Sequence, residues 1–185
     1  HPAAPNLVIT QQDFSLPGGD QLETGIEVIT YEYQRELSAA KTINYSMGIW
    51  LIDTIRHHKA EDVLYHQRGV VSEFPRSNFF IVKQDNTVVT PASGVLAGIT
   101  RKHVLSLAAT DFQVEEGVVT LEDIFQAKEA FLTSTTKRIV PIVKVDHKVI
   151  GNGKPGEVSR TLLEGLLKME RQDRDAQAHQ SFYKF

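Results

Sequence analysis

The sequence contains no cysteine, and only two methionines and one tryptophan, in 185 residues. Without cysteine there are no disulfides, no cysteine-ligated zinc and no thiol catalysis. A chain this long needs no such staple, because a domain of its size buries most of the surface its unfolded form exposes. No apolar run approaches the ~18–20 residues of a membrane span, and no charged-then-apolar leader opens the chain. The formal net charge is only −3, so the strong positive balance that would make a polyanion the default partner is absent too. Neither repeats nor low-complexity segments interrupt the chain. These absences set the expectations: the cytoplasm, with no nucleic-acid and no membrane partner.

What remains is the composition of an ordinary folded domain, 41% apolar and 23% charged. β-branched and aromatic runs at 25–33 (GIEVITYEY), 62–66, 70–74, 77–82 (SNFFIV) and 88–90 are separated by turn residues and read as strands of an antiparallel meander. Between the first two lies a helix over 46–58, its apolar residues Met47, Trp50, Leu51 and Ile55 at helical spacing and its face widened by Ile49 and Ile52. Such a face predicts a largely buried helix. Further helices are expected from near Thr100, after Thr120, where TLED offers a capping threonine three residues before an acid, and over 158–171. Strands are expected at 130–132 and 139–145, and a polar tail with an aromatic end after 171. Helices and strands in this order, without strict alternation, predict an α+β domain with a mixed or antiparallel sheet. The start, HPAAPNLVIT, has no methionine and runs at once into the strand-like 6–10, so residues 1–10 read as the end of a preceding small domain and linker. Residues 11–178 then form the main domain and 179–185 a tail.

Two windows are short of charge. From Leu37 to Ile52 the only charged residue is Lys41, and from Gly69 to Pro75 the only one is Glu73. The two could form a semi-buried ion pair, which apolar residues would replace at little cost to stability, or they could flank a ligand. Two other segments suit a phosphate. AGITRK would point the N–H groups of residues 99–101 out of a helix start. TSTTK carries four hydroxyls from Thr133 to Thr136, though such turns often satisfy their own backbone. The literal G-x-G-x-x-G at 151–156 reads as a turn, because no βαβ unit follows it. Seven histidines without ligand spacing offer no metal site.

Taken in order, AAKTINY, SEFPRSNFFIV, TVVTP, GVLAGITRKHVLSLA, EAFLTSTTKRIVPIVKVD and IGNGKPGEVSRTLLEGL resemble the class IV (fold type IV) pyridoxal-phosphate aminotransferases, and specifically their large C-terminal domain. That family includes D-amino acid transaminases, branched-chain aminotransferases and aminodeoxychorismate lyases. The resemblance implies pyridoxal 5′-phosphate as cofactor, a homodimer, and Lys41 as the catalytic residue that attaches to the cofactor and carries a proton. An amine must be uncharged to attack an aldehyde, and a low-charge surround favours that form. Glu73 is implied beside the pyridine nitrogen, Ile99, Thr100 and Thr135 at the phosphate, Tyr45 at the phenolic oxygen, with Asn78 also counted as cofactor-binding and Thr136 on the substrate side. The family's small N-terminal domain, with a phosphate-binding arginine and much of the substrate pocket, has no counterpart in these residues.

The implied reaction moves an amino group between a small amino acid and a 2-oxo acid such as 2-oxoglutarate. D-alanine is favoured as donor because Arg76, three residues after Glu73, offers a planar fork for a substrate carboxylate. A surface salt bridge is the plainer use of such an arginine. A branched-chain L-amino acid aminotransferase, an aminodeoxychorismate lyase using the same Lys41 and Glu73, and a non-catalytic remnant domain are the alternatives.

Overall fold

The computed structural model describes residues 7–11, 13 and 18–181, and side chains as far as residue 176. In chain order the elements are α1 (Gly19–Thr24), β1 (Ile26–Glu32), α2 (Ser46–Trp50), α3 (Ile52–His57), β2 (Asp62–Gln67), β3 (Val70–Val71), β4 (Asn78–Val82), β5 (Val88–Pro91), α4 (Ile99–Asp111), β6 (Val114–Gly117), α5 (Leu121–Gln126), β7 (Glu129–Ser134), β8 (Arg138–Val145), β9 (Lys148–Val149) and α6 (Glu157–Ser181). The strands form one mixed sheet in the order β3-β2-β1-β8-β7-β4-β5-β6, with β9 pairing β8. This is the α+β domain with a mixed sheet that the sequence predicts.

The meander does not form as such. β1 runs parallel to both β2 and β8, and β4 lies antiparallel between β5 and β7. Parallel neighbours need a crossover, and the α2–α3 segment supplies it between β1 and β2. Strand β3 stops at Val71, so the run read as 70–74 ends in irregular chain at Ser72–Phe74.

The helix expected over 46–58 is two short helices broken at Leu51, which alone among them is fully buried, while Trp50 and Ile49 stay 69% and 60% exposed. Leu51 drops under the segment against Ile29, Val63 and Tyr65, and this one anchor takes the place of the continuous buried stripe that the spacing predicts. Residues 7–10 have no regular structure, with Leu7, Val8 and Ile9 exposed. They pair with no described strand, and apolar character alone does not make one; Asn6 lies outside the described residues, as do the aromatic end of the tail and most of residues 1–17. The closing helix runs past Arg171 to Ser181, because QDRDAQAHQ holds neither glycine nor proline to stop it.

Buried residues alternate across the sheet. Phe79 and Ile81 join one core with Leu132 and Val140, while Phe80 and Val82 join another with Phe131 and Ile139. That period of two puts both faces in apolar surroundings, as covered strands require. Helices α4, through Val104 and Ala108, and α6, through Val158, Leu162 and Leu166 four residues apart, cover the second face. In that layer the rings of Phe80 and Phe131 stack with centroids 5.0 Å apart. The frame so held is the one from which the ends of β4 and β7 and the start of α4 face a common space.

Candidate active site

That space is a cavity of ≈ 510 Å³ lined by every candidate site residue of the sequence, a size in the range of small-molecule sites. Lys41 and Tyr45 come from the segment between β1 and α2, and Tyr45 stands at the N-cap position of α2 without a side-chain capping bond. Glu73 and Arg76 come from the irregular chain before β4, and Asn78 opens β4. Ile99 and Thr100 begin α4. Thr135 and Thr136 form the turn between β7 and β8.

Glu73 is only 3% exposed and does not pair with Lys41. Its Oε1 accepts from Arg35 Nε at 3.0 Å, with Arg35 Nη2 at 2.9 Å, and its Oε2 accepts from the Leu96 backbone N–H at 2.8 Å. Burial pushes this carboxyl above its ordinary range, against the pull of the Leu96 N–H, Arg35 and Lys41. Nothing in the sequence pattern points to Arg35, which stands in QREL beside Glu36 and reads as part of a solvated loop. The guanidinium also donates to the carbonyls of Ala40 (from Nη1, 2.8 Å) and Ser38 (from Nη2, 2.5 Å).

Lys41 itself is exposed on the cavity wall, so the semi-buried ion pair with Glu73 does not form. In the same cavity the Arg76 guanidinium lies over the Tyr45 ring, 4.9 Å from its centroid. A stacked guanidinium keeps its in-plane N–H groups free, and among the described residues Arg76 makes no ion pair.

Helix α4 starts at Gly98 with no side-chain cap, and its first N–H groups find no acceptor among the described residues. Such groups and the helix dipole attract an anion. Thr135 is exposed on the same cavity, whereas Ser134 turns back and its Oγ accepts from Lys137 N at 3.1 Å. Of the four consecutive hydroxyls, then, one satisfies its own turn and Thr133 is buried. Asn78 donates through Nδ2 to Leu96 O at 2.8 Å, so its amide holds the loop entering α4. Arg101 turns inward, to Pro91 O and Glu116, contributing to the site no more than backbone.

The G-x-G-x-x-G segment contrasts with this. It precedes α6, whose first N–H groups are occupied: Val158 N and Ser159 N donate to Glu129 Oε1 and Oε2 at 3.0 and 2.9 Å. A buried carboxylate already fills the place a phosphate would take. Gly156 is required there, because a Cβ would sit inside the Glu129 carboxyl.

Two buried hydroxyls complete the cavity. Among the described residues Ser77 Oγ and Thr133 Oγ1 have no hydrogen-bond partner, though both residues line the space. Buried polar groups are nearly always satisfied, so this wall is built for a ligand with polar atoms. The cavity thus joins a primary amine, a buried carboxylate, an anion end and free hydroxyls.

The amino-transferase class IV family model matches residues 1–145. The D-alanine aminotransferase of Bacillus licheniformis is 29% identical over 147 residues, 78% of this chain and 52% of its own length. The branched-chain-amino-acid aminotransferase of Pseudomonas aeruginosa is 32% identical over 154 residues, 78% of this chain and 50% of its own. Among solved structures, the T.th. branched-chain amino acid aminotransferase with pyridoxamine 5′-phosphate superposes with a TM-score of 0.76 at 26% identity, covering 82% of this chain and 52% of that one. The chain therefore spans about half the length of the curated relatives it matches.

Proposed function

The chain belongs to the class IV aminotransferases, and from that premise we propose that it is the cofactor-binding part of an enzyme that uses pyridoxal 5′-phosphate to move an amino group between a small amino acid and a 2-oxo acid such as 2-oxoglutarate. The observation that carries this reading is the convergence of Lys41, Glu73 and the uncapped start of α4 on one cavity.

The residues fit the cofactor. A phosphate would suit the N–H groups of Ile99 and Thr100 with the Thr135 hydroxyl, and the Ser77 and Thr133 hydroxyls, unpartnered among the described residues, would be available to other polar atoms of the cofactor. When bound, the cofactor supplies an electron sink for an amino acid that has lost its Cα proton. With the cofactor bound, Lys41 Nζ would be the amine that holds it and the group that moves the substrate Cα proton. Glu73, only 3% exposed, would hold the proton at the cofactor's ring nitrogen. Tyr45 would serve the phenolic oxygen, Asn78 would act indirectly by fixing the loop into α4, and Thr136 would meet the substrate.

D-alanine is the preferred donor in this reading, with branched-chain L-amino acids the alternative. What supports it is Arg76, whose free in-plane N–H groups suit a substrate carboxylate; relatives of both kinds match the chain. The working form is a cytoplasmic homodimer, the pairing supported by the exposed apolar residues Ile43, Ile49 and Trp50 in the segment that follows Lys41. Light scattering at twice the chain mass is the expected result. The activity is tested by supplying the protein with pyridoxal 5′-phosphate, 2-oxoglutarate and a panel of D- and L-amino acids. Glutamate formation fastest with D-alanine is expected; no amino transfer from any donor overturns the reading, and faster turnover of L-leucine or L-valine overturns the preference.

A further inference from the structure

One guanidinium joins the two residues on which the proposed chemistry depends. Arg35 is nearly buried, with a side-chain exposure of 12% against 4% for Glu73. Its Nε and Nη2 meet Glu73 Oε1, Nη1 meets the carbonyl of Ala40, immediately before Lys41, and Nη2 also meets the carbonyl of Ser38. Among the described residues Glu73 is otherwise held only by Leu96 N–H on its second oxygen. No hydrogen bond connects Glu73 to residues 38–41 directly, so among the described residues Arg35 is their shared partner. The segment it grips has little else: Ala40 N–H to Leu37 O, at 2.7 Å, closes a single turn around the positive-φ Leu37.

We propose that Arg35 is a positioning residue that fixes the Lys41 segment to the Glu73 carboxylate, so that the amine and the acid are placed as one unit. The fork geometry is what allows this. A guanidinium offers five N–H donors in one plane, enough to take a carboxylate and two carbonyls together, whereas an ammonium is a point charge that cannot span them. The inference rests on the proposed cofactor reading for its use but not for its geometry, and the two can fail separately.

The tie makes an unusual demand: removing Glu73 must loosen residues it does not touch. Hydrogen–deuterium exchange of the cofactor-free protein over residues 38–42 reads this directly. Glu73→Gln and Arg35→Met should each speed exchange there by roughly tenfold, as local opening replaces a held turn, and the double variant should be no faster than either alone. Arg35→Lys should exchange as fast as Arg35→Met, since it keeps the charge and loses the fork. In the protein given pyridoxal 5′-phosphate, attachment at Lys41, read by borohydride trapping over time, should slow by about tenfold in both single variants, within the coupling seen for one hydrogen-bond network.

Unchanged exchange in Glu73→Gln, full addition in the double variant, recovery by lysine, or attachment at the ordinary rate in both single variants each overturns the proposal. If Arg35→Met does not fold, Arg35→Lys takes its place in the same comparison. Failure of the wild-type protein to take up pyridoxal 5′-phosphate at all would sink the function and leave the exchange result standing.

Discussion

Gly98 has no room for a side chain because the carboxamide oxygen of Asn78 occupies the place a Cβ would fill. The same Asn78 donates to Leu96 O, which also accepts from Gly98 N at 2.8 Å, so strand β4 and the start of α4 are locked face to face. Gly98→Ala should push this loop away and cost about 1–3 kcal/mol in stability, the usual range for overpacking. It should also weaken inorganic phosphate binding by roughly tenfold as the α4 N–H groups are re-aimed. Urea unfolding and phosphate titration check both effects, and Asn78→Ala in the Gly98→Ala background should return part of the stability.

The burial of Glu73 gives a pH signature. Its folded-state carboxyl titrates above the ordinary 4.5, so over that window the folded chain binds more protons than the unfolded one. Stability then falls as pH rises through the folded value. Glu73→Gln removes this dependence, so the stability of the variant minus that of the wild type should increase with pH above about 4.5. Urea unfolding at several pH values measures the slope whatever the offset from the unpaired Arg35. A flat difference would mean that the carboxyl is not held in its buried place.

Glu129 should act on the fold and not on the chemistry. Its carboxylate accepts from two N–H groups at the start of α6, and Glu129→Ala should cost about 0.5–2 kcal/mol or more, as lost helix caps do. Affinity for pyridoxal 5′-phosphate should change by less than about twofold, as expected of a site sharing no partners with Glu129. Thermal unfolding with added NAD or ATP should show no shift for the wild type, since the carboxylate already fills that helix start.

For Arg76 the expected effect is on substrate alone. Arg76→Ala should raise KM for the amino acid or the oxo acid by roughly tenfold or more, the loss of a charge-assisted pair, and leave the absorbance of the bound cofactor unchanged. A changed spectrum with unchanged KM would place Arg76 at the cofactor, through its stack on Tyr45.

Much of this is legible in the sequence for physical reasons that can be named. Lys41 and Glu73 stand out because each is the lone charge in an apolar window, and TLED because its capping box forms as written, with Thr120 and Asp123 each bonded to the other's backbone. The turn reading of 151–156 holds because glycine and proline punctuate chains locally. What is not legible depends on partners distant in sequence. The parallel pairing of β1 with β8 joins segments over a hundred residues apart, and a strand's own residues do not state its neighbour. Leu51 as the single anchor of the 46–58 segment follows from what lies beneath it. Arg35 is hidden for the same reason: a guanidinium in a loop declares its role only when the carboxylate it meets is known.

The central claim is that Lys41 is the attachment point of pyridoxal 5′-phosphate, and its most direct test is to load the protein with the cofactor, reduce it with borohydride and map the modified peptide by mass. The account predicts the added mass on Lys41, and none in Lys41→Ala. Modification at Lys137 or Lys59 instead, or no retained cofactor after reduction, would contradict it.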